Sequence, residues 1–207
     1  MASRAATPEL GRAIVASVEK AKTYYDVLGH GSFAVGNTAG GLTTLEEKSL
    51  GAYCKSGAST ISGLLKPGDV PPRGGLYLLD VVPDGEPRFG FPNISDNAEI
   101  AELMACGAHL TLFTTGRGSV VGSAIAPVLK ICANPETYRR LEDDMDVDAG
   151  RILEGRGTIE DVGREIYDRL LAVAGGAPTA SERLGHQEFI LTYKTFEPLG
   201  PSCLPAV

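Results

Sequence analysis

The hydrophobic positions recur with a helical period in some stretches and as short apolar runs in others. Leu10, Ile14, Val15, Val18 and Ala21 fall at near-helical spacing and Pro8 suits a first turn, so residues 1–28 read as a lead-in helix. Residues 29–44, rich in Gly and Thr, break that period and mark a loop. Thr44 with Glu47 three residues on caps a short helix over 45–54. After a turn-rich break at 67–75, residues 76–82 have the length and branching of a buried strand. Asp96 and Glu99 open an amphipathic helix through Ile100, Leu103 and Met104 that ends at Gly107. Residues 109–113 read as a second strand and 128–132 as a third. Strand, helix, strand with short links predicts a βαβ unit.

The second half continues with a short helix at 135–141 and a loop at 142–157 that carries an acidic stretch. Thr158 caps a helix whose apolar face is Ile159, Val162, Ile166, Leu170 and Val173. Glu160/Arg164 and Glu165/Arg169 pair on its outside, and Gly175 ends it. Residues 188–193 read as a last strand. The expected fold class is α/β: a mainly parallel sheet flanked by helices, a Rossmann-like three-layer sandwich. The expected organisation is a helical lead-in at 1–29, one α/β domain at 30–195, and an irregular tail at 196–207.

Composition narrows the function classes. A chain of 207 residues that is 43% hydrophobic and 22% charged has the means to close a core, which excludes wholesale disorder. The net charge of −7 argues against a nucleic-acid grip, which needs a basic surface. No apolar run approaches the ~20 residues of a membrane span. The first residues show no signal-peptide pattern, so the expected compartment is the cytoplasm. The 4 cysteines lack C-x-x-C spacing, which favours reduced thiols over a zinc knuckle.

Three segments carry candidate chemistry. Thr114, Thr115, Gly116, Arg117 and Gly118 directly follow a predicted strand, where ligands of open α/β sheets collect. Glycines there let backbone N–H groups face an anion, and Arg117 adds a planar fork; the alternative is a tight turn with a surface arginine. The stretch Asn37, Gly40, Gly41, Thr43, Thr44, Glu46, Glu47 and Lys48 runs a Gly-rich loop into a capped helix, which is an anion seat. Lys48, if desolvated, is a base or carboxylate ligand there; the alternative is a capped helix with solvated charges. The run Glu142, Asp143, Asp144, Asp146 and Asp148 suits a hard cation, although a solvated acidic loop is the commoner outcome and the EF-hand pattern is missing. Of three scattered histidines, His30 beside the Gly-rich loop is the better candidate, ahead of His109 and His186. No G-x-S-x-G elbow or cysteine-nucleophile signature is present.

These segments, in this order, resemble the C-terminal domain of the galactarate dehydratase/altronate dehydratase family. The resemblance rests on Gly36-Asn37, on residues 40–51, on residues 112–118, on Lys130 with Asn134, and on residues 144–146 with Ala149-Gly150. It implies a lyase that removes water from a sugar acid after proton loss next to the carboxylate; related members include a sulfolactate sulfo-lyase that eliminates sulfite. It implies a divalent metal of the Fe²⁺ or Mg²⁺/Mn²⁺ type, with Asp144 and Asp146 at the metal. Arg117 with Thr114, Thr115, Gly116 and Gly118 would hold a carboxylate or oxyanion, joined at the substrate by Asn37, Gly41, Thr43, Thr44 and Lys130. Lys48 or His30 would be the base, with Glu46 orienting. Full-length members carry further N-terminal domains that this chain does not contain. The expected partners are therefore a small hydroxy-acid substrate, a chain supplying the missing domains and further copies in an oligomer, with no nucleic acid and no membrane. The alternative is a truncated, non-catalytic binding or assembly subunit.

Overall fold

The computed structural model of the protein describes residues 1–27, 41–82, 84 and 95–190. It is an α/β protein whose strands pair in parallel in two sheets. The chain divides into two compact units, Met1–Asn93 with Tyr193–Val207, and Ile94–Thr192.

In the first unit, helix α1 (Pro8–Val27) starts where the Thr7 hydroxyl accepts the Leu10 N–H at 3.2 Å. Strand β1 (Ile61–Leu65) pairs in parallel with β2 (Leu76–Leu79), and Ala5 adds a single parallel bridge to Ile61. Ile61 and Ile14 are buried between the helix and this small sheet. The Arg4 guanidinium ties the turn before β1, donating to the Ser56 hydroxyl at 2.6 Å and to the Ser59 carbonyl at 2.8 Å. Helix α2 (Leu45–Lys55) is capped by Thr44, as its sequence predicts, yet its described side chains are all exposed.

In the second unit, helix α3 (Asp96–Ala105), capped by Ser95, precedes β3 (Thr111–Thr115). Residues 116–127 cross to β4 (Val128–Cys132) without a helix, and β4 is flanked by β3 and the two-residue β5 (Val147–Asp148). Every residue of the central β4 is buried. Leu129 and Ile131 face Val147 and helix α5 (Ile159–Ala174) through Val162 and Val173; Val128 faces Ile100, Val121 and Phe113. Each such apolar side chain contributes about 1.5–3 kcal/mol of transfer free energy. Helix α4 (Pro135–Arg140) is capped by Asn134, and α6 (Ala180–Leu184) by a reciprocal Thr179/Glu182 box.

Three local expectations are corrected. β2 and β3 belong to different sheets among the described residues, so the βαβ unit through α3 does not form. Of the expected last strand, residues 188–190 join no ladder, although the Ala124 N–H donates to the Glu188 carbonyl at 3.3 Å, and residues 191–193 lie outside the described residues. β1 and β5 were not marked by the apolar pattern, because one contains Ser62 and Gly63 and the other lies inside an acidic run.

Candidate functional site

The turn after β3 is built by its own threonines. The Thr115 hydroxyl accepts the Gly118 N–H at 3.0 Å, and the Thr115 carbonyl accepts the Ala133 N–H at 2.8 Å. The Thr137 hydroxyl donates to the Gly116 carbonyl at 3.0 Å. Gly118 sits at φ +81°, a conformation that favours glycine, and a Cβ there would stand 2.3 Å from Leu141 Cδ1, which would have to shift. This packing projects Arg117 into solvent, and among the described residues its guanidinium is in no ion pair or hydrogen bond. Thr114 is exposed on the same strand end. The geometry gives an arginine fork fixed at the carboxyl end of a parallel strand, a place suited to a carboxylate.

On the neighbouring strand of the same sheet lies an unusual charge. Lys130 is in the middle of β4 and is 0% exposed. Its Nζ stands 4.0 Å from Asp144 Oδ1, and neither atom has a hydrogen-bond partner although both are buried. Burial drives the Lys130 ammonium below the usual lysine range, and the charges of Asp144, Asp146 and Glu188 offset this only in part. His186 Nε2 is 3.8 Å from the same Asp144 oxygen, and its Nδ1 is 3.2 Å from Glu188 Oε1. Glu188 Oε2 accepts the Gly122 N–H at 2.9 Å. Burial raises the Glu188 carboxyl, but the backbone N–H groups and His186 outweigh it and the net direction is downward. A Cβ on Gly122 would fall 2.4 Å from the His186 carbonyl oxygen, so only glycine admits the 186–188 segment here. The 116–122 loop is thus pinned at one end by Thr137 and Leu141 and at the other by His186 and Glu188.

Asp146 belongs to the same cluster with a different task. Its two carboxylate oxygens accept the Lys130 and Ala180 N–H groups, each at 2.8 Å, so it joins β4, β5 and α6. Among the described residues, no group of three His, Cys, Asp or Glu side chains is arranged to hold a metal ion. Asp144 and Asp146 are therefore neighbours without forming a complete ligand set.

In the first unit, the Thr44 hydroxyl accepts the Glu47 N–H at 3.1 Å, and Glu47 Oε2 accepts the Thr43 N–H and hydroxyl, each at 2.8 Å. Those bonds hold the Glu47 carboxyl below the usual range. Thr43, Thr44 and Glu47 thus build the helix start, while Glu46 and Lys48 are exposed on α2 and Gly41 lies in the turn before it. His30 and Asn37 lie outside the described residues. Sequence reasoning ranked His186 low and did not select Glu188. The x-Glu pattern two residues beyond a histidine in an extended segment was the available signal, but its partner Asp144 lies 42 positions away and only folding joins them.

The sulfolactate sulfo-lyase subunit beta of Chromohalobacter salexigens is 37% identical over 159 residues, which cover 76% of this chain and 38% of that protein. Galactarate dehydratase (L-threo-forming) of Escherichia coli is 37% identical over 141 residues, covering 68% of this chain and 25% of the relative. Altronate dehydratase of Bacillus subtilis is 34% identical over 191 residues, covering 91% and 36%. The chain thus matches between a quarter and about two fifths of the length of these relatives. The family model for D-galactarate/altronate dehydratase, C-terminal, matches residues 1–196, and the chain belongs to that family.

Proposed function

We propose that this chain is the C-terminal domain or subunit of a sugar-acid hydro-lyase that removes water from an aldonate or aldarate. The observation that carries the reading is the pair of features on one loop: the solvent-facing Arg117 fork and, five residues on, the Gly122 anchor of the Glu188, His186, Asp144 and Lys130 cluster. Arg117 and the turn of Thr114, Thr115, Gly116 and Gly118 bind the substrate carboxylate and draw charge toward it as the neighbouring carbon loses its proton. Glu188 accepts the Nδ1–H of His186, which leaves Nε2 to receive that proton. The freed electron pair forms the double bond as hydroxide leaves the next carbon and is protonated to water. Buried Lys130 balances the carboxylates behind His186 and keeps the proton path polar. Lys48, with Glu46 beside it, is the second candidate base; on an exposed helix it needs further protein around it to lower its proton affinity. A divalent metal of the Fe²⁺ or Mg²⁺/Mn²⁺ type would stabilise the enediolate, and its remaining ligands would come from outside the described residues.

The coverage of the relatives favours a partner: we propose that the chain works joined to, or assembled with, the remaining family domains. The same coverage supports a second reading, a binding or assembly subunit without turnover of its own. The test is formation of a 2-oxo-3-deoxy acid from altronate or galactarate by the chain assembled with those domains. Wild type is expected to turn over. Arg117→Ala is expected to raise KM about tenfold or more, and His186→Gln to lower kcat about 100-fold. Binding of sugar acids without dehydration by the complete assembly selects the second reading.

A further inference from the structure

The loop after β3 is fastened at two ends that serve different side chains. Near Arg117, the Thr137 hydroxyl holds the Gly116 carbonyl and the Thr115 hydroxyl holds the Gly118 N–H. In the middle, Val121 is buried against Ile100 and Val128, and the Ser119 hydroxyl accepts its N–H at 3.2 Å. Beyond that anchor, the Gly122 N–H donates to Glu188 Oε2 at 2.9 Å and the Ala124 N–H to the Glu188 carbonyl at 3.3 Å. These last contacts fix His186. Its carbonyl oxygen stands 2.4 Å from where a Gly122 Cβ would be, and its Nδ1 is 3.2 Å from Glu188 Oε1.

Two carboxylates compete for the His186 ring, and distance decides between them. A separation of 3.2 Å is a hydrogen bond and 3.8 Å is not, so Glu188 holds the proton of the neutral ring on Nδ1 and Asp144 does not hold it on Nε2. Lys130 Nζ, 4.0 Å from the same Asp144 oxygen, offsets the pull of that carboxylate. The Glu188 carboxylate is thus divided: the loop fixes one oxygen, and the other fixes the ring. We propose that Gly122 and Glu188 are positioning residues that set the place and the tautomer of His186 from the loop that carries Arg117. The proton acceptor and the carboxylate fork are then referenced to one segment. This role rests on His186 being the base of the proposed dehydration. A displacement of about 1 Å at a reacting group lowers a rate by up to about 100-fold, which gives the missing side chain at position 122 its leverage.

Two variants test this. Gly122→Ala pushes the 186–188 segment away. Glu188→Gln keeps the size of the side chain but has a single acceptor oxygen, which stays on the shorter bond, the Gly122 N–H; its NH2 then faces Nδ1 and moves the ring proton to Nε2. In the chain assembled with the remaining family domains, both are expected to lower kcat about tenfold or more. KM is expected to stay within about twofold, because the Arg117 end is fastened separately. In the full chain, 15N NMR of the neutral His186 ring, assigned by its loss in His186→Gln, is expected to show Nδ1–H in wild type and Nε2–H in Glu188→Gln. That readout needs no turnover, so it separates failure of this role from failure of the dehydratase reading. Nε2–H in wild type, or a tautomer unchanged by Glu188→Gln, overturns the inference, as do a wild-type kcat in Gly122→Ala and effects confined to KM. Glu188→Gln introduces no clash, so its readouts decide the matter where Gly122→Ala does not fold.

Discussion

Each unit sets lysine charge against aspartates, and the two clusters behave oppositely. In the first unit the Lys20 ammonium donates to Asp80 Oδ2 at 2.8 Å, to the Val82 carbonyl at 2.9 Å and to Asp84 Oδ1 at 2.9 Å. Lys66 reaches Asp80 and Asp84 at 2.9 and 3.0 Å. Burial works to lower Lys20, but its carboxylate bonds outweigh that and its proton affinity is raised. Burial works to raise Asp80, but the two lysines outweigh it and its carboxyl is lowered. In the second unit Lys130 is more deeply buried and its Nζ makes no hydrogen bond. There desolvation wins and the ammonium is lowered. The buried and fully bonded Asp80 carboxylate fastens α1 to the strand ends. An under-bonded buried charge costs stability, a pattern associated with sites that do chemistry.

The largest effect that would break this contrast is on the first cluster. Asp80→Ala removes two charge-assisted hydrogen bonds, leaving the lysines to Asp84 and the Val82 carbonyl, and is expected to cost about 3 kcal/mol in urea unfolding. A loss within the ordinary range of a surface substitution would mean that the network is not a fastening. Next, Lys130→Met is expected to lower dehydration by the assembled protein about 100-fold, roughly 2.7 kcal/mol of barrier. Lys130→Met with Asp144→Leu is expected to leave stability unchanged or to raise it by up to about 2 kcal/mol, because both buried charges are removed together. Clear destabilisation of that double variant would put Lys130 in the same class as Lys20.

The pH dependence sharpens the contrast further. Asp80 and Asp84 have lowered folded values, so their stabilisation is present above the ordinary carboxylate value near ~4 and is lost as pH falls through the lowered one. Lys20 is raised, so its contribution is full below the ordinary lysine value near ~10.4 and fades as pH rises beyond it. Lys130 is lowered, so its penalty is full at low pH and is relieved as pH climbs from the lowered value toward ~10.4. Hydrogen exchange resolved by unit is expected to show the second unit gaining protection over that alkaline window and losing the gain in Lys130→Met. The smallest effect is local: Thr158→Ala removes a two-way cap with Asp161 and is expected to cost about 1 kcal/mol.

Local signals in the sequence were read well where the physics is local. Thr44 and Thr158, read as caps, each precede a helix and each bonds an N–H of its first turn. The β4 run of Val128, Leu129, Ile131 and Cys132 is the central buried strand. Arg117 is legible because a glycine turn after an apolar run leaves an arginine little choice but solvent. Lys130 was legible only through the family pattern, since a lysine inside an apolar run does not reveal whether its ammonium escapes to water. The sheet pairing was not legible, because β2 and β3 have equally apolar residues and parallel partners are chosen at long range.

The sequence by itself determined the α/β class, the capped helices, the glycine turn after β3 and the family, because each is written in neighbouring residues or in ordered motifs. Only the tertiary structure decided that Asp146 serves backbone N–H groups while Asp144, His186 and Glu188 gather near one buried lysine. The reason is that charge energetics depend on distance and desolvation, and these residues become neighbours only when the sheet closes over them.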